Sequence, residues 1–116
     1  MKLGVIILNY KNYEVTLDCL NSLKRDLYTD KEIIIVDNGS HNASSSVLRE
    51  YINDKPHYHL LILDKNLGFA CGNNAGIKYA REKLKCEAVL LVNSDTIFCD
   101  VNCVSTLVKA IDKKLQ

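Results

Sequence analysis

At 116 residues the chain falls within the ~100 to 200 typical of one domain, which leaves room for a single core. Its apolar fraction of 47% and charged fraction of 25% exclude disordered and fibrous classes. A formal net charge of +1 without a basic run argues against nucleic acid as a partner, and no apolar run approaches the ~18 residues of a membrane span.

Leu3 to Leu8 is an apolar, β-branched run that reads as a first strand, and Asn9, Tyr10, Lys11 and Asn12 interrupt it before a signal-peptide core develops. Val15, Cys19, Leu23 and Leu27 then recur at helical spacing. Glu32 to Val36 repeats the strand signal. After a Ser/Asn-rich loop, Val47, Leu48, Tyr51 and Ile52 mark one face of a short helix. Tyr58 to Leu63, beyond Pro56, reads as a third strand, and a glycine-containing loop leads to a helical stripe of Ile77, Ala80 and Leu84. Ala88 to Val92 is a fourth strand. Val104, Leu107, Val108, Ile111 and Leu115 line one face of a last helix, whose C-terminal lysines suit the negative end of its dipole.

Strands that alternate with helices, and read as continuous apolar runs, belong to a parallel sheet covered on both faces. The expected fold is therefore α/β, a doubly wound, mostly parallel sheet of four βα units, with the strand order open.

Ligands of such sheets bind beyond the carboxyl ends of the strands. Those positions hold Asn9-Tyr10, Asp37-Asn38-Gly39-Ser40, Asp64-Lys65-Asn66 and Asn93-Ser94-Asp95-Thr96. Asp, Asn and Gly also end strands for purely conformational reasons, as caps and turn formers, so the joint pattern carries the inference. The absence of G-x-G-x-x-G after the first strand and of G-x-x-x-x-G-K-[ST] disfavours dinucleotide enzymes and P-loop NTPases. Asp95 ends a buried strand, where a hard divalent cation and diphosphate oxygens would offset its desolvation; the competing reading is a helix-capping or turn-forming aspartate. Five cysteines without a C-x-x-C pair suit free thiols in the cytosol. Cys99 and Cys103 read as packing residues, and His41, His57 and His59 as surface or edge residues.

Val5-Ile6-Ile7-Leu8-Asn9-Tyr10, Ile35-Val36-Asp37-Asn38-Gly39-Ser40, the stretch Asn66-Leu67-Gly68-Phe69-Ala70-Cys71-Gly72-Asn73-Asn74-Ala75-Gly76, and Val92-Asn93-Ser94-Asp95-Thr96 together resemble the family 2 glycosyltransferases, closest to the rhamnosyltransferase-like bacterial branch. The resemblance covers essentially the whole chain. It implies a GT-A, Rossmann-like fold and inverting transfer of a sugar from a nucleotide diphosphate, a UDP- or dTDP-sugar, with Mg²⁺ or Mn²⁺, to a saccharide or lipid-linked acceptor in cell-wall or polysaccharide biosynthesis. Asn9 and Tyr10 would line the nucleotide pocket. Asp37 and Asn38 would bind base and ribose, and Asn66, Gly68, Asn73 and Asn74 would flank nucleotide and sugar. Asn93-Ser94-Asp95 takes the place of the family's D-x-D motif, which makes Asp95 the metal and diphosphate ligand; Asn93 replaces the first carboxylate.

The resemblance also implies elements beyond residue 116 that bind acceptor and supply the general base, so residues 1–116 are expected to be a donor-binding half that is weakly active or inactive by itself. The alternative is a non-catalytic nucleotide-binding or scaffold remnant, oligomeric or peripherally membrane-associated through the surface of its missing half. A flavodoxin-like receiver shares the alternation but not the glycine-asparagine stretch. The expected location is cytoplasmic, or the cytoplasmic face of a membrane.

Overall fold

A computed structural model describes residues 1–115, with side chains described as far as Ile111. The elements in chain order are β1 (Leu3–Asn9), α1 (Tyr13–Leu23), β2 (Lys31–Asp37), α2 (Ser44–Ile52), β3 (Tyr58–Ile62), α3 (Gly68–Glu82), β4 (Ala88–Asn93) and α4 (Cys103–Leu115). The four strands form one sheet in the order β3-β2-β1-β4, every pairing parallel. The α/β alternation expected from the sequence is therefore observed. Because β1 lies between β2 and β4, the chain ends of three strands meet on one rim.

The sheet separates two layers. On one face Leu3, Val5, Ile7, Ile33, Ile35 and Val92 pack with Cys19, Leu20 and Leu23 of α1, Leu48 of α2, and Val104 and Val108 of α4. On the other, Ile6, Ile34 and Val36 pack with Ala80 of α3. Burial on both sides explains why β1 and β2 read as unbroken apolar runs. The cover is incomplete at β4. Val89 and Leu91 pair in register with Gly4 and Ile6, on the α3 side, and remain 37% and 46% exposed.

Several expectations are corrected. Leu27 does not extend the α1 stripe: the helix stops at Leu23 and Leu27 is 65% exposed. The cause is Asp26, whose buried carboxylate accepts from Tyr28 N at 2.9 Å and from Val104 N at 3.1 Å, turning the chain and holding the first turn of α4. The glycine-containing loop is helix from Gly68 onward, and Leu84 lies past its end. Gly72, Gly76 and Ala80 form a small-residue stripe against the sheet. A Cβ on Gly72 would come within 2.8 Å of Leu8 Cδ1, and one on Gly76 within 2.7 Å of Ile6 Cγ2. Close approach thus overrides the low helix propensity of glycine. Cys99 is exposed and does not pack, whereas Cys103 lies against the core. On α4, Val104 and Val108 are buried but Leu107 is 44% exposed. Leu115 and the lysines Lys113 and Lys114 lie outside the described side chains.

Candidate functional site

Asn9 and Asp37 end adjacent strands in direct register, and their side chains meet: Asn9 Nδ2 donates to Asp37 Oδ1 over 3.1 Å. Ser40 Oγ donates to the same oxygen over 2.5 Å. Lys11 N donates to Ser40 Oγ over 2.7 Å, which ties the loop after β1, with Lys11 at φ 64, to the turn after β2. Asn9 Oδ1 accepts from Thr16 Oγ1 on α1 at 2.6 Å. Thr16, Asn9, Asp37 and Ser40 are all buried. Asp37 Oδ2 has no hydrogen-bond partner among the described residues. Tyr10, one residue beyond Asn9, is exposed, with Lys11 Nζ 5.2 Å from its ring centroid.

Asn38 faces the other way. Its Nδ2 donates to Asn66 Oδ1 at 3.0 Å and to Gly68 O at 3.2 Å, and its Oδ1 accepts from Leu67 N at 3.0 Å. Both ends of the amide are committed to the entry of α3. Asn66 Oδ1 also accepts from Gly68 N at 2.7 Å. Gly39, at φ +68, lies against this entry so closely that a Cβ would fall 2.2 Å from the Lys65 carbonyl carbon. The turn after β2 and the start of α3 therefore form one locked unit.

Beside it, at the ends of β1 and β4, is an open cleft of about 420 Å³ lined by Leu8, Asn12, Val15, Phe69, Val92, Asn93, Ser94 and Asp95. Asn93 and Asp95 are exposed there. Asp95 is the one carboxylate among the lining residues. The buried Cys19 thiol, whose Sγ lies 3.9 Å from the carbonyl of the cleft residue Asn93, is pushed up to about 11, first by burial and second by the negative charge of Asp95. A magnesium-type ion takes one or two protein carboxylates and completes its shell with phosphate and water, so a single accessible Asp fits the group. Among the described residues no cluster of three His, Cys, Asp or Glu side chains converges, which leaves such an ion dependent on ligand oxygens.

Asp37 thus ends β2 and Asp95 follows β4, on either side of β1. Asn73 and Asn74 sit one turn into α3, outside the cleft lining. Asn73 is 4% exposed and donates to Phe69 O at 3.0 Å, while Asn74 is exposed. A second hollow, about 170 Å³ between β4 and α4, is lined by apolar residues such as Val89, Leu90 and Leu107 and offers nothing to recognise a nucleotide.

The sequence reading missed Thr16, Asn12, Val15 and Phe69. For Thr16 a signal exists: with Cys19, Leu20 and Leu23 it occupies i, i+3, i+4 and i+7 of the buried helix face, where a hydroxyl requires a partner. The histidines lie elsewhere. His57 and His59 both contact Glu32 at the opposite end of the sheet, and exposed His41 meets the Asp64 carbonyl.

Residues 4–115 match the model of a family described as Glycosyl transferase family 2. The chain is 38% identical over 94 residues to the low-salt glycan biosynthesis hexosyltransferase Agl10 of Haloferax volcanii, covering 80% of this chain and 27% of that protein. It is 33% identical over 92 residues to the poly-beta-1,6-N-acetyl-D-glucosamine synthase of Staphylococcus epidermidis, covering 78% of this chain and 21% of that one. In structure it is similar to a mannosyltransferase from Pyrobaculum calidifontis in complex with GDP-Man and Mn²⁺, with TM-score 0.83, 20% identity, and coverage of 93% of this chain and 31% of that chain. It is also similar to S. aureus TarS in complex with UDP-GlcNAc, with TM-score 0.78, 24% identity, and coverage of 97% and 32%. The chain spans about a quarter of the length of the curated relatives it matches.

Proposed function

The chain belongs to glycosyl transferase family 2, and from that premise we propose that its rim binds the nucleotide-diphosphate donor of a sugar transfer. The observation that carries this reading is the placement of Asp37 and Asp95 on one rim, on either side of β1. Asp37 Oδ2 accepts a hydrogen bond from base or ribose, and Tyr10, exposed next to it, provides a flat apolar surface for the base. Asp95, with Asn93 beside it, would hold a Mg²⁺ or Mn²⁺ ion, which would supply positive charge to neutralise the diphosphate leaving group. Asn66 and Gly68 at the entry of α3, and Asn73 and Asn74 one turn into it, are assigned to the side of the donor that carries the sugar.

Support for the metal includes the Mn²⁺ in the P. calidifontis complex, and support for the donor class includes GDP-Man there and UDP-GlcNAc on TarS. The N-x-G-x-x-x-G-N-N-x-G stretch supports the rhamnosyltransferase-like branch and hence dTDP as a third candidate. The five free thiols support a reducing, cytosolic setting; among the described residues no helix is long and apolar enough to cross a membrane. Inverting transfer also needs a base within hydrogen-bond reach of the acceptor hydroxyl, and we assign no residue of this rim to that step.

Isothermal titration with UDP, dTDP and GDP, each with Mn²⁺, tests the reading. Binding by at least one nucleotide is expected, weakened about tenfold or more by Asp95→Asn through loss of the ion's protein anchor. No heat at millimolar nucleotide, or an unchanged affinity in Asp95→Asn, contradicts it.

A further inference from the structure

A carboxylate only accepts hydrogen bonds, so the partner that faces Asp37 Oδ1 must present a donor. Asn9 therefore turns its Nδ2 toward Asp37, 3.1 Å away, and its Oδ1 toward α1. Thr16 Oγ1, 2.6 Å from that oxygen, is then obliged to be the donor. The direction of every bond in the chain Thr16, Asn9, Asp37 follows from the charge at its end. Relative exposures of 0% for Thr16 and Asn9 and 2% for Asp37 and Ser40 leave no bulk water to take the place of a lost donor.

We propose that the fully buried Thr16 is a positioning residue of the nucleotide site: its hydroxyl fixes the orientation of the Asn9 amide, and the amide fixes the Asp37 carboxylate, whose Oδ2 is left unpaired for the base or ribose. The proposal rests on the reading of Asp37 as a nucleotide acceptor. Without the Thr16 hydroxyl, Asn9 Oδ1 is an orphaned buried acceptor. Rotation of the amide to relieve it would set Oδ1 against Asp37 Oδ1, acceptor against acceptor, and would give up the contacts of Nδ2 with Asp37 and, at 3.4 Å, with Ser40 Oγ. The alternative bond of Thr16, to the carbonyl of the N-cap residue Asn12 at 3.4 Å, is longer and local to the start of α1. It does not by itself account for a threonine at this position.

Thr16→Val removes the donor while keeping the shape, and Thr16→Ser restores it. Titrations with UDP plus Mn²⁺, or with dTDP or GDP in its place where that is the nucleotide the wild type binds, read the Asp37 side, and titrations with pyrophosphate plus Mn²⁺ read the Asp95 side without a base. Loss of one buried neutral hydrogen bond predicts roughly threefold to tenfold weaker UDP binding in Thr16→Val. Pyrophosphate binding should be unchanged, and Thr16→Ser should return UDP binding to the wild-type value. Equal UDP affinity in wild type and Thr16→Val overturns the role of Thr16 alone. An equal loss for pyrophosphate also overturns it, because the damage is then general. A wild type that binds pyrophosphate but none of UDP, dTDP and GDP overturns the Asp37 reading itself. If Thr16→Val fails to fold, Thr16→Cys, a similar volume with a weak donor, makes the same comparison.

Discussion

His59 Nε2 lies 3.0 Å from Glu32 Oε2, joining the edge strand β3 to β2 at the end of the sheet away from Asp37. His57 Nδ1 adds a contact at 3.3 Å and Lys2 Nζ one at 3.9 Å. Burial raises the Glu32 carboxyl, but the hydrogen bonds from His59 and His57 outweigh it and leave the group below its ordinary 4.5. A carboxyl depressed by folding contributes stability that is full above the unfolded value and lost as pH falls through the folded one. The urea midpoint of the wild type should therefore drop as pH is lowered from about 5 to about 3, and Glu32→Gln should flatten that part of the profile. Parallel profiles would show that the contact contributes nothing.

Two glycines with positive φ separate backbone strain from steric conflict. Gly39 (φ +68) has the Lys65 carbonyl carbon and Asn66 N at 2.2 and 2.4 Å from an added Cβ, whereas Gly68 (φ +84) has nothing within 4 Å. Gly68→Ala should cost only the left-handed conformation, about 1 kcal/mol. Gly39→Ala should cost about 3 kcal/mol or more, because rigid backbone must move as well. Urea unfolding of the two variants measures the difference, and equal costs would refute the close contact between the turn and the entry of α3.

The same contacts explain what could be read from the residues and what could not. The strands were legible because Ile6, Ile34 and Val36 are buried on one face while Val5, Ile7, Ile33 and Ile35 are buried on the other, which demands unbroken apolar runs. The start of α3 was not, since Gly72 and Gly76 signal a loop by local propensity and a helix only once Leu8 and Ile6 are known to press on them. Motif positions placed Asp37 and Asp95 on strand ends. They did not distinguish Asn9 and Asn38, whose amides are committed to Thr16, Asp37 and the entry of α3, from residues with groups left for a ligand. That distinction depends on partners 7 to 30 positions away in the chain.

Asp26 holds two elements that are distant in sequence. Its side chain is 0% exposed and accepts from Tyr28 N and from Val104 N, 78 residues later, with Lys31 Nζ at 3.9 Å. Asp26→Ala strands the buried Val104 N–H and leaves Lys31 without its counter-charge, so a loss of roughly 2–4 kcal/mol is expected. Asp26→Asn should recover part of it, since one amide oxygen still accepts. Denaturation curves of the two variants decide this, and an Ala variant within about 0.5 kcal/mol of wild type would mean that α4 docks without the cap.

Thiol chemistry reads the Asp95 side of the rim independently of any ligand. Cys71 and Cys99 are exposed, whereas Cys19 is fully buried with its thiol pushed up to about 11, by burial and then by Asp95. Since the thiolate is the reactive form, an aromatic disulfide reagent at about pH 8 should label Cys71 and Cys99 rapidly and Cys19 only after denaturant is added. The charge contribution is separable from the burial. In a variant with Cys71, Cys86, Cys99 and Cys103 replaced by serine, Asp95→Asn removes a negative charge near the sulfur and should shift the ultraviolet thiolate titration of Cys19 to lower pH. A titration that does not move would show that the Asp95 carboxylate does not act on Cys19.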